Sequence, residues 1–327
     1  MRIAVIGVGA TGARAARQLA STDAVDTVVV ADADPGTRRK VADLLGAGAE
    51  ASDADVPEAD VVLLATPAGT QAALGTQALR QGASVVATSD DVGDVRALLD
   101  LDPEAVERSA TVVVGAGFAP GLSCLLARHA AHTLDQVDEV HVAKVGTGGP
   151  ACAEQHHRAL GSDGLDWRDG GWMARSGGSG RELCWFPEPV GGRDCYRAAV
   201  PDPLLLVDAF GPLERVTARQ AANRRDRLTA RLPMLRRPHP EGGPGAIRVE
   251  LRGSRAGGRH VVVYGAMDRP AVAAGAVAAV TARAVGDGSI DRYGAFGLAA
   301  LEDPLPLLAD LAERGIRAAA FEGGAGV

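Results

Sequence analysis

The chain has 327 residues, 46% of them hydrophobic and 23% charged, with a formal net charge of −7. That length predicts two domains or one large one, with a core big enough to need no covalent staples. The acidic balance and 3% aromatic content argue against a nucleic-acid surface and against an anionic membrane as partner. Four cysteines, Cys124, Cys152, Cys184 and Cys195, show no paired spacing. No metal site or disulfide framework is therefore expected, and a reducing, cytoplasmic setting is. No apolar run reaches the roughly 18 residues of a membrane-span candidate; the small-residue stretch Ala271–Ala284 comes closest.

The first twelve residues organise the rest. Met1–Val5 reads as a buried strand, Gly7-Val8-Gly9-Ala10-Thr11-Gly12 as a tight turn, and Ala13–Ala20 as a helix. In G-x-G-x-x-G the first glycine permits the turn. The second lets the backbone approach a pyrophosphate, and the third lets helix and strand pack closely. The helix start adds free N–H groups and a partial positive charge. A second strand, Thr27–Ala31, ends at Asp32, twenty residues past Gly12. A carboxylate there suits the adenosine ribose hydroxyls and repels a 2′-phosphate. Arg38 and Arg39 follow and could neutralise such a phosphate, so NAD is favoured over NADP by a small margin. The expected cofactor contacts are Gly7, Gly9, Ala10, Thr11, Gly12, Asp32, Arg38, Thr66, Pro67 and Gly117.

Ala59–Ala65 is an apolar strand ending in Thr66-Pro67, and carboxyl ends of parallel strands are where ligands sit. Gln71–Gln81 reads as a helix, Ser84–Thr88 as a strand, Asp94–Asp100 as a helix and Thr111–Val114 as a strand. This alternation predicts an α/β class domain, a doubly wound parallel sheet over residues 1–122. A second glycine-rich turn, Gly115-Ala116-Gly117-Phe118-Ala119-Pro120-Gly121-Leu122, leads into a helix over Leu122–Thr133.

The G-V-G-A-T-G start, the strand-end Asp32 and the G-A-G-F-A-P-G-L crossover together resemble the saccharopine dehydrogenase-like family. That family carries a G-x-D-P-G type turn at the crossover, where this chain has Ala119 in place of the acid. The resemblance covers the first 125 residues and the general layout after them. It implies NAD(P)-linked hydride transfer to or from a carbon–nitrogen bond of an amino-acid-like molecule.

From Val137 the pattern changes to short alternating strands. Val137–Val145, Arg181–Phe186, Val216–Ala221, Ile247–Leu251 and His260–Tyr264 are candidates. They predict a second, α+β domain with an antiparallel sheet over 123–265, bearing the substrate groups. Glu154–Arg158 reads as helical, and the Gly- and Asp-rich stretch Asp163–Gly180 as a long loop. Asp268 reads as the N-cap of an Ala/Val/Gly helix running to Val285, expected to pack on the first domain or on a subunit neighbour. With a last helix from Asp303-Pro304 to Arg314 and a strand at Ile316–Phe321, it forms a C-terminal segment, 266–327, packing back on the first domain.

Hydride transfer asks of the protein orientation, a proton carrier and charge complementarity. His156 and His157 titrate near neutrality when unperturbed. On a helix they point about 100° apart, so at most one faces a site. Lys144 at a strand end and Tyr196 are the alternatives. Arg224, Arg225 and Arg227 form a basic knot suited to bidentate grip of carboxylates. Three functions stay open. One is an oxidoreductase of the saccharopine dehydrogenase-like type, acting on a small carboxylate-bearing amine or imine. Another is a dehydrogenase of a sugar or keto acid. The last is a sensor or scaffold that binds NAD(P) without turnover. A homodimer is the expected assembly.

Overall fold

The computed structural model describes residues 1–234 and 237–321. The chain divides into two compact units: Met1–Gly117 with Ala271–Phe296, and Phe118–Pro270 with the residues from Gly297 onward.

The first unit opens as strand β1 (Arg2–Ile6), helix α1 (Gly12–Ala20), β2 (Thr27–Ala31), α2 (Pro35–Leu45), β3 (Ala49–Ser52), β4 (Val61–Leu64), α3 (Gln71–Arg80), β5 (Ser84–Ala87), α4 (Val92–Leu99), α5 (Asp102–Glu107) and β6 (Thr111–Val114). The strands lie in the order β3-β2-β1-β4-β5-β6, each pair parallel. This is the doubly wound order, with its switch point between β1 and β4. Parallel strands covered on both faces need side chains that are apolar throughout. Val61–Leu64 and Val112–Val114 are accordingly buried along their whole lengths. Each such Val or Leu contributes about 1.5–3 kcal/mol relative to exposure. Short acids set the helix starts. Asp34 accepts from Gly36 N and Thr37 N, and Asp91 from Gly93 N and Asp94 N. The buried Asp94 carboxylate in turn accepts from Gly69 N (2.7 Å) and Ala72 N (3.2 Å), seating the start of α3.

The second unit follows with α6 (Leu122–Ala131), β7 (Gln136–Val145), α7 (Pro150–Gly161), β8 (Gly164–Arg168), β9 (Gly171–Arg175), β10 (Glu182–Trp185), β11 (Gly192–Arg197), α8 (Asp202–Phe210), β12 (Arg215–Ala221), α9 (Arg224–Thr229), β13 (Gly245–Arg255) and β14 (Gly258–Asp268). The chain returns to the first unit with α10 (Pro270–Gly286) and β15 (Gly294–Gly297), which lies beside β6. It ends in α11 (Leu305–Glu313) and β16 (Ala318–Phe321).

The second sheet runs β10-β11-β12-β7-β13-β14-β16, with the β8–β9 hairpin attached through β12. It is mixed. Among the pairs described, β7–β12 is parallel and the others are antiparallel. Helices α6 and α8 pack against β7 and neighbouring strands, on the face carrying Val140, Val142, Val249 and Leu251.

Three local expectations change. The stretch Asp163–Gly180 is largely a hairpin rather than a loop: β8 and β9 are joined by Asp169 (φ +49°) and Gly170 (φ +84°). Two consecutive positive φ values make the tight turn that matches strand twist, and Asp-Gly is its usual sequence. Asp268 is the last residue of β14 and not a helix cap, because α10 begins at Pro270. The segment 266–327 is divided. Helix α10 belongs to the first unit, where a Cβ on Gly275 would stand 2.8 Å from Arg14 Cβ of α1, and residues from Gly297 belong to the second.

Candidate functional site

In the first unit the turn between β1 and α1 uses its three glycines for three different physical reasons. Gly7 has φ +84°, and a Cβ on it would stand 2.8 Å from the Ala65 carbonyl and Thr66 N. A Cβ on Gly12 would overlap the Gly7 carbonyl oxygen. A Cβ on Gly9 would meet nothing within 4 Å, so space is open above the turn. The first and third glycines are thus demanded by the protein's own packing. The second leaves room for a guest. Among the described residues the amides of Ala10, Thr11 and Gly12 donate to no protein acceptor, and they open α1. Such a cradle suits a diphosphate.

Asp32 closes one side of this turn. Its Oδ2 accepts from Val8 N (2.8 Å) and its Oδ1 from Asp34 N (2.9 Å), so the carboxylate is fixed at the end of β2 with lone pairs remaining. Arg38 reaches back to the Asp32 carbonyl at 3.5 Å. On the other side, beyond β4, the Thr66 carbonyl accepts from Gln71 Nε2 (2.8 Å), and the Thr70 hydroxyl donates to the Pro67 carbonyl (2.6 Å) and pairs with the Thr66 hydroxyl at 2.8 Å. Gly117 is buried just past β6. These residues fit the group they would hold: phosphates at Gly9–Gly12 and ribose hydroxyls at Asp32.

In the second unit the register places Tyr196 of β11 opposite Gln220 of β12, and Gln220 opposite Lys144 of β7. Paired residues share a sheet face, so the three form one row. The row continues into Ile247 of β13. Lys144 is 7% exposed, and its Nζ donates to the Ala119 carbonyl at 3.1 Å. Gln220 is fully buried, and its Nε2 donates to the His156 carbonyl at 2.7 Å.

His156 lies on α7 beside this row. Burial first, then the Lys144 charge, push its imidazole down to about 3, against the pull of a hydrogen bond to the Ala221 backbone. It is neutral at physiological pH and carries no transferable imidazolium proton there. His157 Nε2 bonds the Leu232 carbonyl at 2.9 Å, tying α7 to the segment after α9. Tyr196 packs with Leu160 and Ala230, under the Arg227 guanidinium, which stands 4.3 Å above its ring centroid.

Helix α9 opens in a reciprocal cap between Asn223 and Asp226. A surface cavity of about 320 Å³ is lined by Gly177, Gly178, Arg224, Arg227, Leu228 and Arg231. Arg227 Nε donates to the Gly178 carbonyl (3.0 Å), leaving its outer nitrogens available. A spacing of three puts Arg224 and Arg227 on one side of α9, and Arg231 follows just past the end of the helix. Arg225 is not part of this lining, and Arg231 is a member that the basic knot did not reveal. Gln220 also escapes sequence reading: in T-A-R-Q-A a lone glutamine looks like an exposed strand residue. Among the described residues no group of three or more His, Cys, Asp or Glu side chains could hold a metal ion, and no helix is long and apolar enough to cross a membrane. All four cysteines are free thiols.

Comparison with known proteins agrees with this geometry. Residues 1–88 match the Gfo/Idh/MocA oxidoreductase family, NAD-binding Rossmann fold. Among solved structures, saccharopine dehydrogenase (L-Glu forming) from Saccharomyces cerevisiae aligns over 98% of this chain and 99% of its own, with TM-score 0.72 and 16% identity. GenD2 from gentamicin A biosynthesis, in complex with NAD, aligns over 99% and 97%, with TM-score 0.50 and 17% identity. A probable dehydrogenase from Thermotoga maritima aligns over 98% of both chains, with TM-score 0.50 and 12% identity. No curated protein matches the sequence significantly.

Fold and family match define the class, an NAD(P)-dependent oxidoreductase whose first unit is an NAD-binding Rossmann domain. Within that class the architecture is saccharopine dehydrogenase-like.

Proposed function

We propose that this oxidoreductase moves a hydride to or from the carbon–nitrogen bond of a small carboxylate-bearing amine or imine, with NAD preferred over NADP. One observation carries the reading: a cationic cavity stands at one end of a row of side chains that leads to a buried lysine. Arg227 lines the cavity and covers Tyr196; Tyr196, Gln220 and Lys144 then follow in one row of the second sheet. Three guanidiniums and no carboxylate line the cavity, so it selects an anion. The likeness to saccharopine dehydrogenase (L-Glu forming) supports the choice of an amino-acid-like substrate.

The bound nicotinamide supplies or accepts the hydride. The chain's own residues do the rest. Arg224, Arg227 and Arg231 hold a substrate carboxylate. Lys144 Nζ takes the proton from the substrate nitrogen during oxidation and returns it during reduction. Tyr196 stands under Arg227 at the arginine end of the row. Since the His156 imidazole stays neutral, Lys144 is the better proton carrier of the two. In the first unit the Gly9–Gly12 amides hold the diphosphate, Asp32 the ribose, and Thr66, Pro67 and Gly117 line the ends of the strands.

The test is transfer of deuterium from labelled NADH and NADPH to a panel of imines formed from amino acids and 2-oxo acids. Label in the product amine from NADH, and loss of transfer in Lys144→Met, are expected. Absence of transfer across the panel, with transfer to keto acids or sugars instead, would overturn the reading.

A further inference from the structure

Strand β10 is an outer strand of the second sheet. It pairs with β11 from Glu182–Cys195 to Trp185–Gly192 without a register break, and among the described residues no strand pairs with its other edge. Leu183 and Trp185 are 58% and 59% exposed. They share a sheet face with Asp194 and Gly192, their partners on β11. A Cβ on Gly192 would stand 3.4 Å from Leu183 Cδ1 and from Trp185 Cζ3. Both side chains thus rest against bare backbone, held in place and yet open to a neighbour.

The direction of the backbone groups follows from two hydrogen bonds. Phe186 N donates to the Gly191 carbonyl at 3.2 Å, so residue 186 turns its groups inward, to β11. Directions alternate along an antiparallel strand. Glu182 and Cys184 therefore turn inward as well, while Arg181, Leu183 and Trp185 turn outward. The neighbouring ladder agrees, because Asp194, opposite Leu183, gives its carbonyl to Ala222 N at 3.1 Å, on the β12 side. Proteins ordinarily blunt an open edge with a charge, a proline, a bulge or a cover. Here the strand presents leucine and tryptophan.

This edge fits itself. In a two-fold antiparallel pairing, outward groups must meet outward groups and like faces must meet. With the axis at Leu183, the leucines of the two copies pair with each other and Arg181 pairs with the partner's Trp185. Every outward group from Arg181 to Trp185 then finds a partner, and a guanidinium lies beside an indole ring. Glu182 meets the partner's Cys184, whose neighbour across the hairpin is the exposed cation Arg193. Other axes fit worse. Moved toward Arg181, the pairing sets arginine against leucine or against arginine. Moved to Cys184 or Trp185, it asks Pro187 for an N–H that proline lacks, and the Pro187 carbonyl already accepts from Val190 N at 3.0 Å.

We propose that β10 joins the β10 of a second copy of this chain about a two-fold axis at Leu183, so that the second sheets of two protomers run on as one. A joint of this length lies at the small end of specific interfaces, and a dimer forming over micromolar concentrations is expected.

Sedimentation equilibrium of the full-length protein across that range tests it. The wild type is expected to show a monomer–dimer equilibrium. Leu183→Pro removes an outward N–H and leaves the ladder to β11 intact, since that ladder does not use it. Its association is expected to weaken at least about tenfold with the far-ultraviolet circular dichroism unchanged. Leu183→Cys answers independently should the proline variant fail to fold. Opposed residues of a hydrogen-bonded pair stand about 5.5 Å apart at Cα, within disulfide reach. With oxidised glutathione as oxidant, this variant is expected to form a covalent dimer, which the wild type and Leu228→Cys, exposed on α9, do not form. A wild type that stays monomeric overturns the proposal. So does a dimer that a folded Leu183→Pro protein leaves unweakened, or one that Leu183→Cys fails to cross-link.

Discussion

Gly12 and Gly7 touch so closely that a side chain on Gly12 would occupy the place of the Gly7 carbonyl oxygen, whereas Gly9, between them, faces open space. The two kinds of glycine should therefore fail in opposite ways. Gly12→Ala forces α1 away from β1, and overpacking of this sort costs about 1–3 kcal/mol. Its melting temperature is expected to fall whether or not cofactor is present. Gly9→Ala should melt like the wild type without cofactor and bind NADH at least about tenfold more weakly, a difference of about 1.4 kcal/mol. Thermal melts with and without NADH check both. A Gly9→Ala protein with normal affinity would show that the diphosphate does not use this turn.

On the proposed reading, Asp32 is the residue that separates the two pyridine coenzymes. Its carboxylate is held by Val8 N and Asp34 N, so it cannot swing away from a 2′-phosphate. Asp32→Asn removes the charge and turns one acceptor into a donor facing Asp34 N–H. A stability loss of about 1 kcal/mol is expected from that clash. The preference for NADH over NADPH, read as a ratio of kcat/KM, should shrink by about tenfold, because the like-charge repulsion has gone. An unchanged ratio would move the discrimination to Arg38 and Arg39.

The arginines of α9 are expected to divide by position rather than by sequence adjacency. Arg227 lines the cavity, donates to the Gly178 carbonyl and stacks on Tyr196; Arg225 is absent from the lining. Arg227→Ala should raise the substrate KM by about 10–100-fold, the cost of a lost charge-assisted pair of about 1.5–3 kcal/mol. Arg227→Lys should rescue little, since an ammonium cannot donate to Gly178, stack and grip a carboxylate at once. Arg225→Ala should stay within about twofold, as exposed charges usually do. Steady-state kinetics with the three variants decide the matter, and an equal effect at 225 and 227 would count against the cavity as the carboxylate site.

The first unit was readable because its rules are local. Thr27–Ala31 and Thr111–Val114 are strands from end to end, as continuous apolar runs bounded by polar residues should be. The glycine turn fixes β1, α1 and the place of Asp32 in one stroke. The second unit was harder because its signals are weak or long-range. Gly164–Arg175 hid a hairpin behind a loop-like composition, although Asp169-Gly170 carries the turn signal. Helix α8 was not anticipated, its apolar run Leu204–Val207 being too short to show a period. Gln220 and Lys144 are 76 residues apart in sequence, counting from 144 to 220, and only the parallel pairing of β12 with β7 brings them side by side. Arg231 stands four residues after Arg227, outside the contiguous knot Arg224-Arg225-Asp226-Arg227, and joins two of its arginines only in space.

His156 should make the protein acid-sensitive. Its imidazole is held down to about 3 in the folded chain, mainly by burial, against an ordinary value of 6.5. As pH falls through 6.5 the unfolded chain takes up a proton that the folded chain refuses until about pH 3. Unfolding therefore draws in a proton throughout that window, and stability rises with pH across it and is lost as pH falls. At pH 5 the penalty is on the order of 2 kcal/mol. His141, also held below its ordinary value by burial, pushes in the same direction. Comparison with a single-site variant isolates the first contribution. His156→Gln keeps a donor within reach of the Ala221 backbone and cannot titrate. Urea midpoints at pH 7.5 and pH 5 should fall further for the wild type than for this variant, by an amount matching that penalty. Parallel falls in the two proteins would mean that the imidazole is not desolvated, and would return His156 to consideration as a proton carrier beside Lys144.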